Sequence, residues 1–175
     1  MGRHACAKLD TMAAMRRIDP KPKGTSHTRA SEMATPALTR KELLERLRVE
    51  FPDAGHAVGD FEIEELWHGG CRLRQRYDKR GLRPGGTLSG ATMMALADFA
   101  MYLAVLSAIG WVPLAVTTNL SINFLRKPPP GDLIAEARLL KLGKQLAVGE
   151  VAIRADDGED VVAHVISTYS IPTVK

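Results

Sequence analysis

Cysteine is scarce in this chain: Cys6 and Cys71 are the only two in 175 residues. Two thiols so far apart make neither a metal knuckle nor a redox pair, and the chain is not a disulfide-dense mini-protein. A reduced, cytoplasmic setting is the expectation. Long uninterrupted apolar runs are also missing. The longest, residues 99–116, is broken by Ser107, Gly110 and Pro113, and Asp98 stands just before it. It reads as a buried helix leading into a strand, not as a membrane span. The N-terminus lacks the apolar core of a signal peptide, and no internal repeat is visible. An excess of charge is missing from most of the chain as well. The formal net charge is +4, which by itself suggests a polyanion partner. Residues 1–32, however, hold seven Lys/Arg and three Asp/Glu, whereas residues 33–175 hold 17 of each. The basic character belongs to the first 32 residues, so no nucleic-acid partner is expected for the rest. Residues 1–38 read as an extension or disordered tail, with Met33 a second possible start, and residues 39–175 as one domain.

Several segments have clear periodicity. Residues 39–51 (TRKELLERLRVEF) carry Leu43, Leu44, Leu47 and Phe51 at helical spacing, and Thr39 with Glu42 forms a capping-box pattern. Residues 61–67 (FEIEELW) and 71–77 (CRLRQRY) alternate as strands, with His68-Gly69-Gly70 as a hairpin turn. Residues 82–86 (LRPGG) read as a loop. A long helix spans 89–109, with Ser89 as N-cap and Gly110 as its stop. Residues 115–125 alternate, the KPPPGD run at 127–132 excludes regular structure, and 133–142, 147–154 and 161–171 are three more strands. Gly143-Lys144 and Asp156-Asp157-Gly158 link them, the latter as a hairpin turn. A 21-residue apolar helix cannot face water, so one antiparallel sheet must cover it. The fold class is α+β.

Charge is absent from one stretch. Of the 42 residues between Arg83 and Arg126, one is charged: Asp98. It falls near the middle of the apolar helix, where Asp has poor propensity. Burying its carboxylate without partners costs several kcal/mol. Asp98 is therefore either held by structural hydrogen bonds or at work on a ligand.

Gly85-Gly86, then SGATMMALADFAMYLA, then VTTNLSINFLRKPPPGDLIAEARLLKLGKQLAVGEV resembles the hotdog-fold acyl-CoA thioesterases of the phenylacetate-pathway (PaaI-like) group, over roughly residues 55–172. The resemblance implies an antiparallel sheet of five to six strands wrapped round the central helix. It implies a homodimer with a continuous sheet, often doubled to a homotetramer. It also implies hydrolysis of an acyl-CoA without metal or cofactor. There are departures. Family members carry a His nine residues before the helical acid, and here that residue is Ser89. No Asn precedes position 119, so the upstream Asn some relatives use is absent.

Thioester hydrolysis needs a base or nucleophile at the carbonyl carbon and a donor for the oxyanion. Asp98 is the candidate for the first. The backbone amides of Gly90 and Ala91, at the positive end of the helix, are candidates for the second. Gly90 and Asp98 are eight residues apart, about 12 Å along a helix, so one carbonyl cannot meet both from the same chain. The expected site lies between two subunits. Thr117, Asn119 and Asn123 alternate on one strand and either line an acyl or pantetheine channel or face solvent. Arg126, Lys127, Lys141 and Lys144 are candidate contacts for the CoA phosphates, or ordinary surface charge. Ser89 reads as a helix cap beside the substrate site, and no Gly-x-Ser-x-Gly elbow surrounds it. His56, His68 and His164 show no metal or triad spacing. Two further readings stay open. A non-catalytic acyl-CoA-binding hotdog protein fits the missing His. A hotdog dehydratase needs a catalytic His that the helix lacks.

Overall fold

The structure is a computed structural model, and it describes residues 35–52, 58–156 and 158–172. The expectations for residues 1–34, including Cys6 and Met33, and for His56 and Asp157 lie outside the described residues. The first element among the described residues is α1 (Arg40–Glu50). Thr39 caps it and accepts from the Glu42 amide, while Glu42 returns a bond to the Thr39 amide at 2.8 Å. β1 (Phe61–Trp67) and β2 (Gly70–Gln75) form the expected hairpin, with Trp67 opposite Gly70. Gly69 sits in the turn at φ 76°, a conformation that favours glycine.

After a single 3-10 turn at Lys79–Gly81 come two short strands, the first within the expected loop at residues 82–86 and the second just after it, where the sequence predicts no element. β3 (Leu82–Arg83) and β4 (Thr87–Leu88) pair around Gly85 and Gly86, both at positive φ. Two-residue strands are too short to show any alternation. α2 (Gly90–Ile109) is the long helix, with Ser89 as N-cap and Gly110 as C-cap. β5 (Val116–Phe124), β6 (Leu133–Leu142), β7 (Leu146–Ala155) and β8 (Val161–Ser170) follow.

Six strands form one antiparallel sheet in the order β1-β2-β6-β7-β8-β5. α2 packs against all six. Leu96, Met101, Leu103 and Leu106 of the helix are fully buried with Leu73, Val151, Ile153 and Val165 of the sheet. Each such side chain contributes about 1.5–3 kcal/mol of transfer free energy. By length and mean hydropathy α2 would suffice to cross a membrane. Here its apolar surface is instead the core of the sheet's concave face. This is the expected hotdog architecture, with six main strands.

Alternation in β2 sorts its residues by face. Cys71, Leu73 and Gln75 point inward and are buried. Arg72 and Arg74 point outward, where Arg74 pairs with Glu64 at 2.6 Å and with Asp156 at 2.6 Å. Burial pushes the Cys71 thiol up to about 12, so it stays protonated.

Candidate active site

Asp98 lies on the face of α2 that looks toward the ends of β5 and β8. Two hydroxyls hold it. Thr117 Oγ1 donates to Asp98 Oδ1 at 2.5 Å, and the Tyr169 phenol donates to the same oxygen at 2.8 Å and to the Asp98 carbonyl at 2.9 Å. Asp98 Oδ2 has no hydrogen-bond partner among the described residues. Because no side-chain oxygen is buried without a partner among them, Oδ2 is exposed to the space beside it. That space is a cleft of about 290 Å³ bordered by Phe51, Ala95, Phe99, Tyr102, Pro113, Val116 and Tyr169. The isolated carboxylate is thus neither unpaired nor sealed in. One oxygen is fixed and the other faces an apolar hollow.

The donors come from regular positions. Tyr169 is an inward residue of β8, 2% exposed, with its ring beside that of Tyr102. Burial pushes the phenol well above its ordinary range; the Thr117 hydrogen bond opposes this, and the charge and hydrogen bond of Asp98 add to the rise. It stays a donor. Thr117 reaches the helix because β5 carries an irregularity between Thr117 and Asn119: Thr117 pairs with Tyr169 and Asn119 with Thr168. This corrects the expected single polar face. The extra residue turns Thr117 inward, while Asn119, Ser121 and Asn123 are exposed on the outer side.

The start of α2 forms a second, separate place. Ser89 Oγ accepts from the Thr92 amide at 3.2 Å, so its role as cap is established. The amides of Gly90 and Ala91 have no acceptor among the described residues. Gly90 lies close to Phe124: a Cβ at this position would stand 2.9 Å from the tip of the ring, the far end of a half-exposed side chain that has room to swing aside. Arg83, Gly90, Met93, Phe124, Arg126 and Lys127 border a cleft at this end of the helix. It shares no residue with the cleft beside Asp98.

The cations expected to act together are divided within one chain. Arg126 and Lys127 follow β5 at the helix-start end, where Arg126 pairs with Asp160 at 3.3 Å. Lys144 is exposed in the β6–β7 turn, next to the start of β7, and Leu146 there pairs with Ser170, which pairs with Val116. That is the Asp98 end. Lys141, near the end of β6, is on this side too. His164 pairs with Glu150 on the strands at 3.2 Å, and His68 is in the β1–β2 turn. Among the described residues no three His, Cys, Asp or Glu side chains converge as metal ligands would.

Sequence reasoning missed Tyr169, Phe51 and Arg83. A signal existed for the first: a Tyr among inward residues of a strand needs a partner for its hydroxyl, and Asp98 was the one charged group in the neighbouring apolar stretch. Phe51 was read as a helix residue only, and nothing local says that it borders a cleft.

Comparisons with known proteins agree with this fold. The family model described as Thioesterase superfamily matches residues 85–162. A putative esterase of Saccharolobus solfataricus is 32% identical over 137 residues, covering 78% of this chain and 87% of that protein. The crystal structure of a putative thioesterase from Silicibacter is 44% identical, with a TM-score of 0.70 over 79% of this chain and 94% of its own. Two further structures share the fold at lower identity. The Escherichia coli PaaI protein of the phenylacetic acid degradation operon is 23% identical, with a TM-score of 0.63 over 74% of this chain and 91% of its own. A hypothetical thioesterase of Streptococcus pneumoniae, solved with coenzyme A, is 24% identical, with a TM-score of 0.65 over 72% and 96%.

Proposed function

This chain belongs to the thioesterase superfamily and its class is that of a thioester hydrolase; from that premise we propose that it cleaves an aryl- or medium-chain acyl-CoA, with Asp98 as base or nucleophile. One observation carries the assignment: the only charged side chain in the apolar middle of the sequence is held at Oδ1 by two hydroxyls and presents Oδ2 to an apolar cleft. The acyl group lies in that cleft against Phe99, Tyr102 and Phe51. As base, Asp98 takes a proton from water while the water oxygen bonds to the thioester carbon. The C–S bond then breaks, and the proton passes to the leaving thiolate. As nucleophile, Asp98 bonds the thioester carbon to give an acyl anhydride as the C–S bond breaks and CoA leaves as its thiolate; water then opens the anhydride, regenerating the Asp98 carboxylate and releasing the acid, and a proton from that water passes to the thiolate. In both routes the hydrogen bonds at Oδ1 fix the direction of the carboxylate.

The oxyanion needs donors that Asp98 cannot supply. The free amides of Gly90 and Ala91 are suited to it by position and helix polarity, yet they lie about 10–12 Å along the helix from Asp98. The productive site therefore combines Asp98 of one copy with the helix start of a second. β5 is at the sheet edge, and its far side has no strand partner among the described residues. Pairing it antiparallel with a second β5 gives a homodimer with a continuous sheet and sets opposite ends of the two chains together. The same arrangement brings Lys144 of one copy toward Arg83, Arg126 and Lys127 of the other, a cationic group for the CoA phosphates. Ser89 and Ala91 border this region, and the outward Asn119 and Asn123 flank the β5 edge along which pantetheine would run. The pneumococcal relative solved with coenzyme A supports the choice of thioester. Cys71 as a free thiol is in keeping with a cytoplasmic setting.

The test is release of free thiol from a panel of acyl-CoAs. Turnover that falls at least about a hundredfold in Asp98→Ala supports the proposal. Tight acyl-CoA binding without turnover by the wild-type protein would make it a sensor or carrier instead, and unchanged turnover in the variant would remove Asp98 from the chemistry.

A further inference from the structure

Tyr169 lies seven residues beyond the region matched by the family model. It is nevertheless one of two side chains that hold Asp98. We propose that Tyr169 is a positioning residue for the Asp98 carboxylate, which its phenol locks in the one orientation that turns Oδ2 into the cleft. The inference rests on the assignment of Asp98 as the reacting group.

The geometry is specific in three ways. First, the phenol bonds both the side chain and the main chain of one residue, Oδ1 at 2.8 Å and the carbonyl at 2.9 Å. A hydroxyl shared between these two atoms restrains rotation about the side-chain bonds of Asp98, because turning the carboxylate away forfeits one of the two contacts. Second, Thr117 approaches the same Oδ1 at 2.5 Å and not the other oxygen. With two donors on one oxygen, any partial rotation of the carboxylate stretches both bonds until the equivalent arrangement is reached. Third, the ring has little freedom of its own. It is 2% exposed, lies 6.4 Å from the Tyr102 ring, and stands opposite Thr117 in the β5–β8 register. A donor on β8, a strand paired on both sides by β7 and β5, is more rigid than one on a loop, and geometry of this kind is what fixed reacting groups require.

A buried Tyr also satisfies its own hydroxyl by bonding the nearest acceptor, which would be a role in stability alone. The two roles differ in what they do to turnover. A positioning role lowers kcat through Asp98 and leaves acyl-CoA binding alone. A stability role leaves the folded enzyme's kcat unchanged.

The experiment compares wild type, Tyr169→Phe, Asp98→Asn and the double variant by thiol release, well below the thermal midpoint of each. Tyr169→Phe is expected to lower kcat about tenfold to a hundredfold, the size of a lost hydrogen bond to a charged group, with KM within about twofold. In the Asp98→Asn background the same change is expected to alter kcat less than about twofold, because the group it acts through is already gone. Tyr169→Met, which also lacks the hydroxyl but is adaptable in volume, replaces Phe should that variant not accumulate folded. Folded Tyr169→Phe with wild-type kcat overturns the inference and leaves Asp98 untouched. Equal fold losses in both backgrounds overturn it too. A wild-type enzyme unaffected by Asp98→Asn overturns the assignment of Asp98, and the inference with it.

Discussion

At the scale of single residues, the site turns on how a lone carboxylate survives in an apolar helix. Asp98 does so with two hydroxyl donors on Oδ1 and an open cleft at Oδ2. The cleft's composition bears on which acyl groups fit. Phe51, the C-cap residue of α1, is 44% exposed and meets the Tyr102 ring edge-on at 6.4 Å. It forms a wall that comes from outside the segment matched by the family model. Removing it lengthens the hollow. Phe51→Ala is expected to raise kcat/KM for longer acyl chains relative to short ones, by about 10-fold for each one or two methylenes newly accommodated. A kcat/KM series across acyl-CoAs of increasing length checks this, and an unchanged order of preference would mean that Phe51 does not bound the acyl site. Asp98 itself was legible in the sequence through isolation from other charge. Of its two partners, Tyr169 leaves only the signal of an inward tyrosine in need of an acceptor, 71 residues away, and Thr117 leaves none, since it reaches Asp98 by way of a strand irregularity that alternation cannot reveal.

At the scale of elements, periodicity located every long helix and strand among the described residues, because each has one buried and one wet face or is wholly buried. α1 shows this at its start, where the Thr39–Glu42 box appears as expected. The failures were of two kinds. β3 and β4 are too short to carry a pattern. In β5, the period-2 reading assigned Thr117 to the face of Asn119, and one extra residue reversed it. A second dependence on small detail is found where α2 meets the sheet. A Cβ on Gly149 in β7 would stand 2.6 Å from Met101 Cε and 2.7 Å from the Arg138 carbonyl oxygen. The methionine can move, but the backbone of β6 cannot do so cheaply. Gly149→Ala is expected to destabilise by about 1–3 kcal/mol, a drop of several degrees in thermal midpoint. A midpoint equal to wild type would show that helix and sheet have slack at this point.

At the scale of the whole molecule, the pieces of chemistry are far apart within one chain. The two clefts are at different points along α2, the free amides at one and Asp98 at the other. The candidate phosphate-binding cations divide in the same way, Arg126 and Lys127 from Lys144. The helical rise alone, about 1.5 Å per residue, was enough to foresee this separation from the sequence. The sheet order, which puts β5 at an edge available for a second copy, was not, because it depends on pairings between β2 and β6 and between β5 and β8 that are remote in sequence. The central claim is that Asp98 of one copy works with the helix start of another, and mixing subunits tests it most directly. Gly90→Pro lacks the amide hydrogen at a helix position where proline is tolerated, and Asp98→Asn lacks the acid. Each variant alone is expected to be nearly inactive. After subunit exchange in an equal mixture, half the dimers carry one intact composite site, so thiol release is expected to recover to about a quarter of the wild-type rate. No recovery, in a mixture shown by mass to contain heterodimers, would contradict a shared site and put both halves in one chain.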